Sequence, residues 1–270
     1  MTDIPNVNTG FLPGSGTKNL WIGGTIPYEV RLESGDWRPF VPLGEKQKDP
    51  LETMACVTFS DLNILETQAK QQTGIEPNWS DRFIAKLSGT TPQGNYLDKV
   101  ADTVRNVGLV REEDWPTPPN ATWNTYYADI PQDVLSKAMK VTVAYESVAP
   151  SDFKKHLKQS PLQVIVTNTN PHHAVALVHI DGTTAYYYDS YYPYLKTTNL
   201  SNLYNYALKI VLTMNDHIVI YKNGSEYQLA LKAKSEEGFA QQLFDAGATN
   251  LLTSDGKPNF PEIDKIAHVL

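Results

Sequence analysis

The sequence predicts an α+β chain in which helices come first and strands later. Two patterns carry that expectation. From Met54 to about Val110 apolar residues recur at helical spacing, and from Val141 to Tyr221 short apolar and aromatic runs take over. A third observation bounds the size. With 270 residues, 41% apolar and 20% charged, the chain suffices for one large domain or two small ones with a substantial core.

Residues 1 to about 35 are rich in Gly, Pro, Asn and Thr, and read as an extended arm with one strand at Tyr28-Glu29-Val30-Arg31-Leu32. A helix is expected from about Met54 to Lys70, where Phe59, Leu62, Leu65, Glu66 and Ala69 recur at helix spacing. A second is expected from Trp79 to Leu87. A third runs from Tyr96 to Val107, with Leu97, Val100, Ala101, Val104 and Val107 on one face and Gly108 as the stop. After a loop containing Pro116, Pro118 and Pro119 comes a short helix near Gln132 to Met139. Strands follow at Val141 to Tyr145, Leu162 to Thr167, Ala174 to Ile180, Thr184 to Tyr188 and His217 to Tyr221. Between the first two, Pro150-Ser151-Asp152 opens a short helix to about Gln159. Residues 226 to 270 read as an appended segment. It holds a strand at Tyr227 to Leu231, a helix from Glu236 to Ala246 capped by Ser235, and a last helix after Pro261.

The net charge of −7 argues against a general nucleic-acid binder or a protein held on anionic membranes. Apolar runs such as Ala174-Val175-Ala176-Leu177-Val178 are far too short to cross a bilayer. The start, Met1-Thr2-Asp3-Ile4-Pro5, has neither the basic nor the apolar stretch of a secretory signal. A single cysteine permits no internal disulfide, which fits a reducing compartment.

That cysteine, Cys56, falls in the first turn of the helix expected from Met54. Backbone N–H groups and the helix dipole favour a thiolate at such a place. A free cysteine is more often a small buried hydrophobe, so position alone does not make a nucleophile. A thiol nucleophile needs a base and a group to orient that base. Of six histidines, His172 and His173 lie at a strand start, after Asn168-Thr169-Asn170-Pro171. Sixteen residues beyond His173 comes Asp189, at the end of the next strand, and a hairpin would bring the two together. The carboxylate would then hold the imidazole tautomer and stabilise the imidazolium. A metal site on His172, His173 and His179 is set aside, because no second cysteine or ligand spacing supports it.

At this point the chain resembles papain-like cysteine peptidases over roughly residues 36 to 195. Asp36-Trp37-Arg38 is similar to the family's Asp-Trp-Arg, and Gln47 follows at a spacing similar to that of its oxyanion-hole glutamine. Cys56-Val57-Thr58-Phe59-Ser60 resembles Cys-Trp-Ala-Phe-Ser, and His173-Ala174-Val175-Ala176 resembles His-Ala-Val-Ala. Asp189-Ser190-Tyr191 resembles Asn-Ser-Trp, and Gly94 with the later Gly108-Leu109-Val110 resembles the family's glycine region. The departures are specific. Met54-Ala55 replaces Gly-Ser before the nucleophile, Val57 replaces Trp, and Asp189 replaces Asn. Nine residues separate Gln47 from Cys56, a longer loop than the family's. Disulfides and a helical inhibitory prosegment are missing. These differences point to an outlying branch, cytoplasmic or virion-associated, and Met-Ala-Cys-Val-Thr-Phe-Ser is similar to phage-encoded members.

The resemblance implies a two-lobe fold, with a helical lobe, an antiparallel β lobe and the active-site cleft between them. Residues 36–225 would form the catalytic domain, flanked by the arm at 1–35 and the segment 226–270. It implies hydrolysis of a peptide bond through a thioester on Cys56, with no cofactor and a peptide or protein as substrate. His173 would be the base, Asp189 its orienter, Gln47 an oxyanion donor and Gly94 a place where peptide backbone approaches closely. Other readings stand beside these. Gln47 also reads as a solvated loop amide, Gly94 equally as a loop glycine before a helix, and Tyr191 more readily as part of an aromatic core cluster than as a lid. The scaffold could run another amide chemistry, such as peptidoglycan amidase or transglutaminase activity, or serve as a catalytically retired structural or binding protein.

Overall fold

The computed structural model describes residues 22–24, 26, 28–44, 46–169, 172–213, 217–222, 225–230, 253–257 and 267–269. In chain order its elements are β1 (Ile22–Gly23), α1 (Cys56–Thr73), α2 (Asp81–Leu87), α3 (Leu97–Val107), α4 (Trp123–Tyr126) and α5 (Gln132–Leu135). Then come β2 (Thr142–Val148), α6 (Phe153–His156), β3 (Leu162–Val166), β4 (His173–Asp181), β5 (Thr184–Tyr188), β6 (Leu195–Asn199) and β7 (Ala207–Thr213). Three more strands follow, β8 (His217–Lys222), β9 (Ser225–Ala230) and β10 (Ala267–Val269). The expected α+β architecture is present: helices from one part of the chain pack beside an antiparallel sheet from another.

Seven strands form the main sheet in the order β1-β2-β7-β3-β4-β5-β6, every neighbour antiparallel. α1 lies across β3, β4 and β7, with α2 and α3 on its other side. It is therefore buried on nearly every face from Cys56 to Ala69. Its polar residues are met inside. Gln68 donates to the Ile210 carbonyl at 2.9 Å and accepts from the Leu212 N–H at 3.1 Å. Gln163 of β3 donates to the Val57 carbonyl at 2.7 Å and to Ser60 Oγ at 2.8 Å. Glu66 accepts the Trp79 N–H at 2.9 Å. Buried polar groups satisfied in this way tie helix and sheet in one register. Gly74, at φ 75°, ends α1 in the left-handed cap that glycine accommodates without strain.

The three long helices lie close to their expected places, whereas α4 was not expected and α5 ends at Leu135, short of Met139. α1 begins two residues later than expected and runs three further, while α2 begins at Asp81 because Ser80, not Trp79, caps it. Three strand expectations need correction. Residues 28–32 form no strand; Arg31 and Leu32 donate their backbone N–H groups to the Lys158 carbonyl instead, and β1 lies upstream. β7 was not expected, yet it sits between β2 and β3. Being buried on both faces it shows no alternation, and Lys209 interrupts its apolar run. That lysine is buried against Glu146 at 2.5 Å and Gln159 at 2.8 Å. β6, also unexpected, is an edge strand without an apolar face. Strands β8 and β9 pair with each other in a separate sheet with β10. Most of the arm and the helix expected at Glu236 to Ala246 lie outside the described residues. So does most of the helix expected after Pro261, and the last residues described there are strand β10.

Candidate active site

Cys56 is the first residue of α1, fully buried at 0% exposure. Ala55 precedes it and offers no side chain to cap the helix, so α1 begins with first-turn N–H groups uncapped by a side chain. Met54 has φ 59°, the left-handed region that glycine favours. The resembled family's motif carries glycine at this position.

The β4–β5 hairpin brings His173 and Asp189 together. His173 opens β4, and Asp189 follows the last residue of β5, Tyr188, which pairs with Ala176. His173 Nε2–H donates to Asp189 Oδ1 at 2.7 Å. Nδ1 makes no well-aligned hydrogen bond, and the remaining polar influence on the ring comes from the Cys56 thiol. Burial pushes the imidazole towards its neutral form. The hydrogen bond to Asp189 and the neighbouring Cys56 outweigh it, raising the His173 pKa to about 10.

Asp189 is buried as well, which opposes its ionisation. His173 and Lys196 overcome that cost and hold the carboxyl below the usual range. Lys196 Nζ reaches Oδ2 at 2.8 Å, and the Tyr191 N–H donates to Oδ1 at 3.1 Å. Lys196, on the unexpected strand β6, carried no sequence signal. An alternating edge strand opposite β5 was the one feature that could have placed it there.

Gln47 also reaches this cluster, and the long loop does not prevent it. Thr53 N–H and Oγ1 both donate to the Gln47 carbonyl, at 3.4 and 3.1 Å, and the backbones of Lys48 and Glu52 form an isolated antiparallel bridge. The five residues between Gln47 and Thr53 are thereby pinched off as a side loop. The Gln47 backbone N–H donates to the Ser190 carbonyl at 3.2 Å, and Ser190 Oγ donates to Gln47 Oε1 at 3.0 Å. Gln47 is buried at 0% exposure, so it is no solvated amide. Its Nε2 donates to Glu52 at 2.7 Å. Upstream, Trp37 is a core anchor, donating Nε1–H to the Leu157 carbonyl at 2.6 Å, while Arg38 pairs with Asp36.

Tyr191 departs from the core-cluster reading. Tyr187 and Tyr188 are buried in the core, but Tyr191 is half-buried, with its ring centroid 5.2 Å from that of His173. Its hydroxyl donates to Glu52 Oε2 at 2.5 Å. Tyr127 closes another side, donating its hydroxyl to the Thr53 carbonyl at 2.6 Å. Gly94 is not tied to the cluster by any hydrogen bond among the described residues. It sits in a turn with Thr91 at φ 103°, which itself calls for glycine. An open cavity of about 600 Å³, lined by Asp49, Phe59, Asp81, Glu112 and Asn120 among others, includes none of Cys56, His173, Asp189 and Gln47. Among the described residues no group of three or more His, Cys, Asp or Glu side chains could hold a metal ion. Nor is any helix among them long and apolar enough to cross a membrane.

The fold matches those of solved cysteine proteases. Bromelain from Ananas comosus, solved with the inhibitor E64, superposes with a TM-score of 0.52 over 67% of this chain and 98% of its own, at 15% identity. A recombinant stem bromelain precursor gives 0.51 over 66% and 69%, at 16% identity. Digestive procathepsin L 3 of Tenebrio molitor gives 0.51 over 77% and 75%, at 15% identity. No protein-family model matches the chain, and no curated protein matches its sequence. The chain therefore has the papain-like α+β fold.

Proposed function

We propose that the protein is a cysteine peptidase acting through a thioester on Cys56. The observation that carries this reading is the joining of a helix-start cysteine to a histidine that a carboxylate orients at 2.7 Å. In this reading the Cys56 thiolate attacks the scissile carbonyl carbon, and the carbonyl electron pair becomes the oxyanion. His173, as imidazolium, then gives its proton to the leaving amine as the C–N bond breaks. In the second half it takes a proton from water, whose hydroxide attacks the thioester and releases the thiolate. Asp189 keeps Nε2 protonated and so turns Nδ1 towards the sulfur. The Cys56 N–H and Gln47 Nε2 are the donors assigned to the oxyanion. An extended peptide running beside Gly94 completes the proposal.

Cys56 carries no solvent-exposed surface, so substrate entry requires the side chains around it to shift. The decisive experiment is labelling by an epoxysuccinyl inhibitor, read by intact mass. One adduct, absent in Cys56→Ala and strongly slowed in His173→Ala, is the expected result. No adduct would overturn the reading. Peptide and cell-wall-fragment libraries, screened side by side, should give turnover of peptides; turnover of cell-wall fragments alone would replace peptidase by amidase.

Gln47→Ala should lower turnover by roughly a hundred- to a thousandfold. Alkylation of Cys56 by iodoacetamide should persist, because oxyanion stabilisation acts on the transition state for acyl transfer and not on the resting thiolate. Unchanged turnover would remove Gln47 from the site.

A further inference from the structure

We infer that Glu52 is a positioning residue, a carboxylate that holds Gln47 and Tyr191 in place around Cys56 and His173; this rests on the peptidase reading of that site. Three donors converge on it from three stretches of chain. Gln47 Nε2–H and the Met54 N–H donate to Oε1 at 2.7 and 3.3 Å, and Tyr191 Oη–H donates to Oε2 at 2.5 Å. An ionised carboxylate accepts only and has about four lone-pair sites, so it suits a place where every partner is a donor. Glu52 is half-buried; burial pushes the Tyr191 and Tyr127 hydroxyls well above the usual range, and the nearby Glu52 and Cys56 push them the same way.

The geometry explains why an acceptor is needed here. Gln47 lies on a loop longer than the family's, and a carboxamide can turn end for end. Ser190 Oγ takes the oxygen end and Glu52 the nitrogen end, so the amide has one orientation. Glu52 also links the Gln47 loop to the segment after β5 that carries Asp189, Ser190 and Tyr191. The same contact holds the Tyr191 ring beside the His173 ring. Glu52 touches no reacting atom in this scheme; it acts through Gln47 and Tyr191.

The test separates oxyanion binding from thiol reactivity. The probe is a peptidyl aldehyde, acetyl-Leu-Leu-argininal. The thiolate adds to the aldehyde carbon and the carbonyl π pair moves to oxygen, giving an oxyanion that faces the Gln47 amide while His173 keeps its proton. Nothing leaves, so the affinity reports stabilisation of the tetrahedral adduct. The reference is the rate of Cys56 alkylation by iodoacetamide, read by intact mass. Glu52→Ala should weaken aldehyde binding by roughly tenfold or more while alkylation changes less than about threefold. Glu52→Gln should recover most of the affinity, since its oxygen can accept from Gln47 and its amide can donate to the Tyr191 oxygen. In Gln47→Ala the further change Glu52→Ala should cost clearly less than it does in the parent, because only the part of its effect that passes through Tyr191 remains.

Additive losses, or a Glu52→Ala protein that binds aldehyde as well as or better than the parent, overturn the inference. The second result would make Glu52 a competitor for the Gln47 amide. Equal loss of aldehyde binding and alkylation would mark a general collapse of the site and overturn it also. A parent protein whose Cys56 neither alkylates nor binds aldehyde sinks the peptidase reading itself, and the inference with it.

Discussion

Asp189 stands where the resembled family carries asparagine, and Lys196 answers the extra charge. A buried imidazolium beside a carboxylate and an ammonium leaves one net positive charge on three groups linked at 2.7 and 2.8 Å. Asp189→Asn keeps an oxygen for Nε2–H, so turnover on a peptide found by the screen should stay within about tenfold, whereas Asp189→Ala should lose roughly a hundredfold. Equal losses in both variants would give Asp189 another role. The pH dependence follows from the same pair. The His173 pKa is raised, so its protonation stabilises the fold fully below about pH 6.5. That contribution is lost as pH rises through about 10. Epoxysuccinyl labelling that depends on imidazolium should fall over the same alkaline range. The fall should move to lower pH in Asp189→Asn, because one of the groups that raises the imidazole is gone. Asp61 on α1 gives the opposite case for a carboxyl. It is fully buried with no hydrogen-bond partner among the described residues, and burial pushes its pKa far up. Stability linked to it is present below about pH 3.9 and declines as pH rises towards its folded value. Asp61→Asn should therefore raise the urea midpoint at pH 7 relative to the parent, with the advantage vanishing in acid; a lowered midpoint at pH 7 would refute this.

At the scale of elements, α1 concentrates most of what matters. Its start carries the thiol, its length is buried against sheet and helices, and a left-handed Met54 sets its entry. Met54→Gly tests which of two effects dominates. Relieving the backbone is worth about 1 kcal/mol, while deleting a buried methionine side chain costs about 2–5 kcal/mol. Met54 is 4% exposed, so the burial loss should win and urea denaturation should show a net destabilisation. A stabilised Met54→Gly protein would mean that the side chain contributes little to packing. The β4–β5 hairpin was legible because a continuous apolar run and an aromatic run lie on either side of Gly182-Thr183, a short turn whose glycine has φ 57°. β7, buried on both faces like β3, differs in carrying Lys209, which breaks the apolar run that made β3 legible.

Across the whole molecule, local patterns singled out Cys56, His173 and Asp189, and the tertiary structure brings them together. The segment before Asp36 contributes to that joining. Arg31 donates to Gln68 Oε1 and to the Leu212 carbonyl, both at 2.9 Å, bridging α1 and the end of β7. A chain starting at Asp36 should lose roughly 2–4 kcal/mol of stability, measured in urea. At 25 °C its folded fraction should still label on Cys56 at the parent's rate; much faster labelling would show that the removed segment occludes the site. The sequence by itself determined the α+β class, a helix with Cys56 in its first turn and the hairpin that sets Asp189 beside His173. Each follows from periodicity and turn chemistry acting over a few neighbouring residues. Only the tertiary structure decided that β7 lies inside the sheet and that Lys196 neutralises Asp189. It also decided that Tyr191 leaves the core for the His173 ring, and that Glu52 gathers Gln47, Met54 and Tyr191. Those contacts join stretches far apart in the chain, and their residue types, a lysine on an edge strand or a glutamate in a polar loop, look the same in sequence whether solvated or paired.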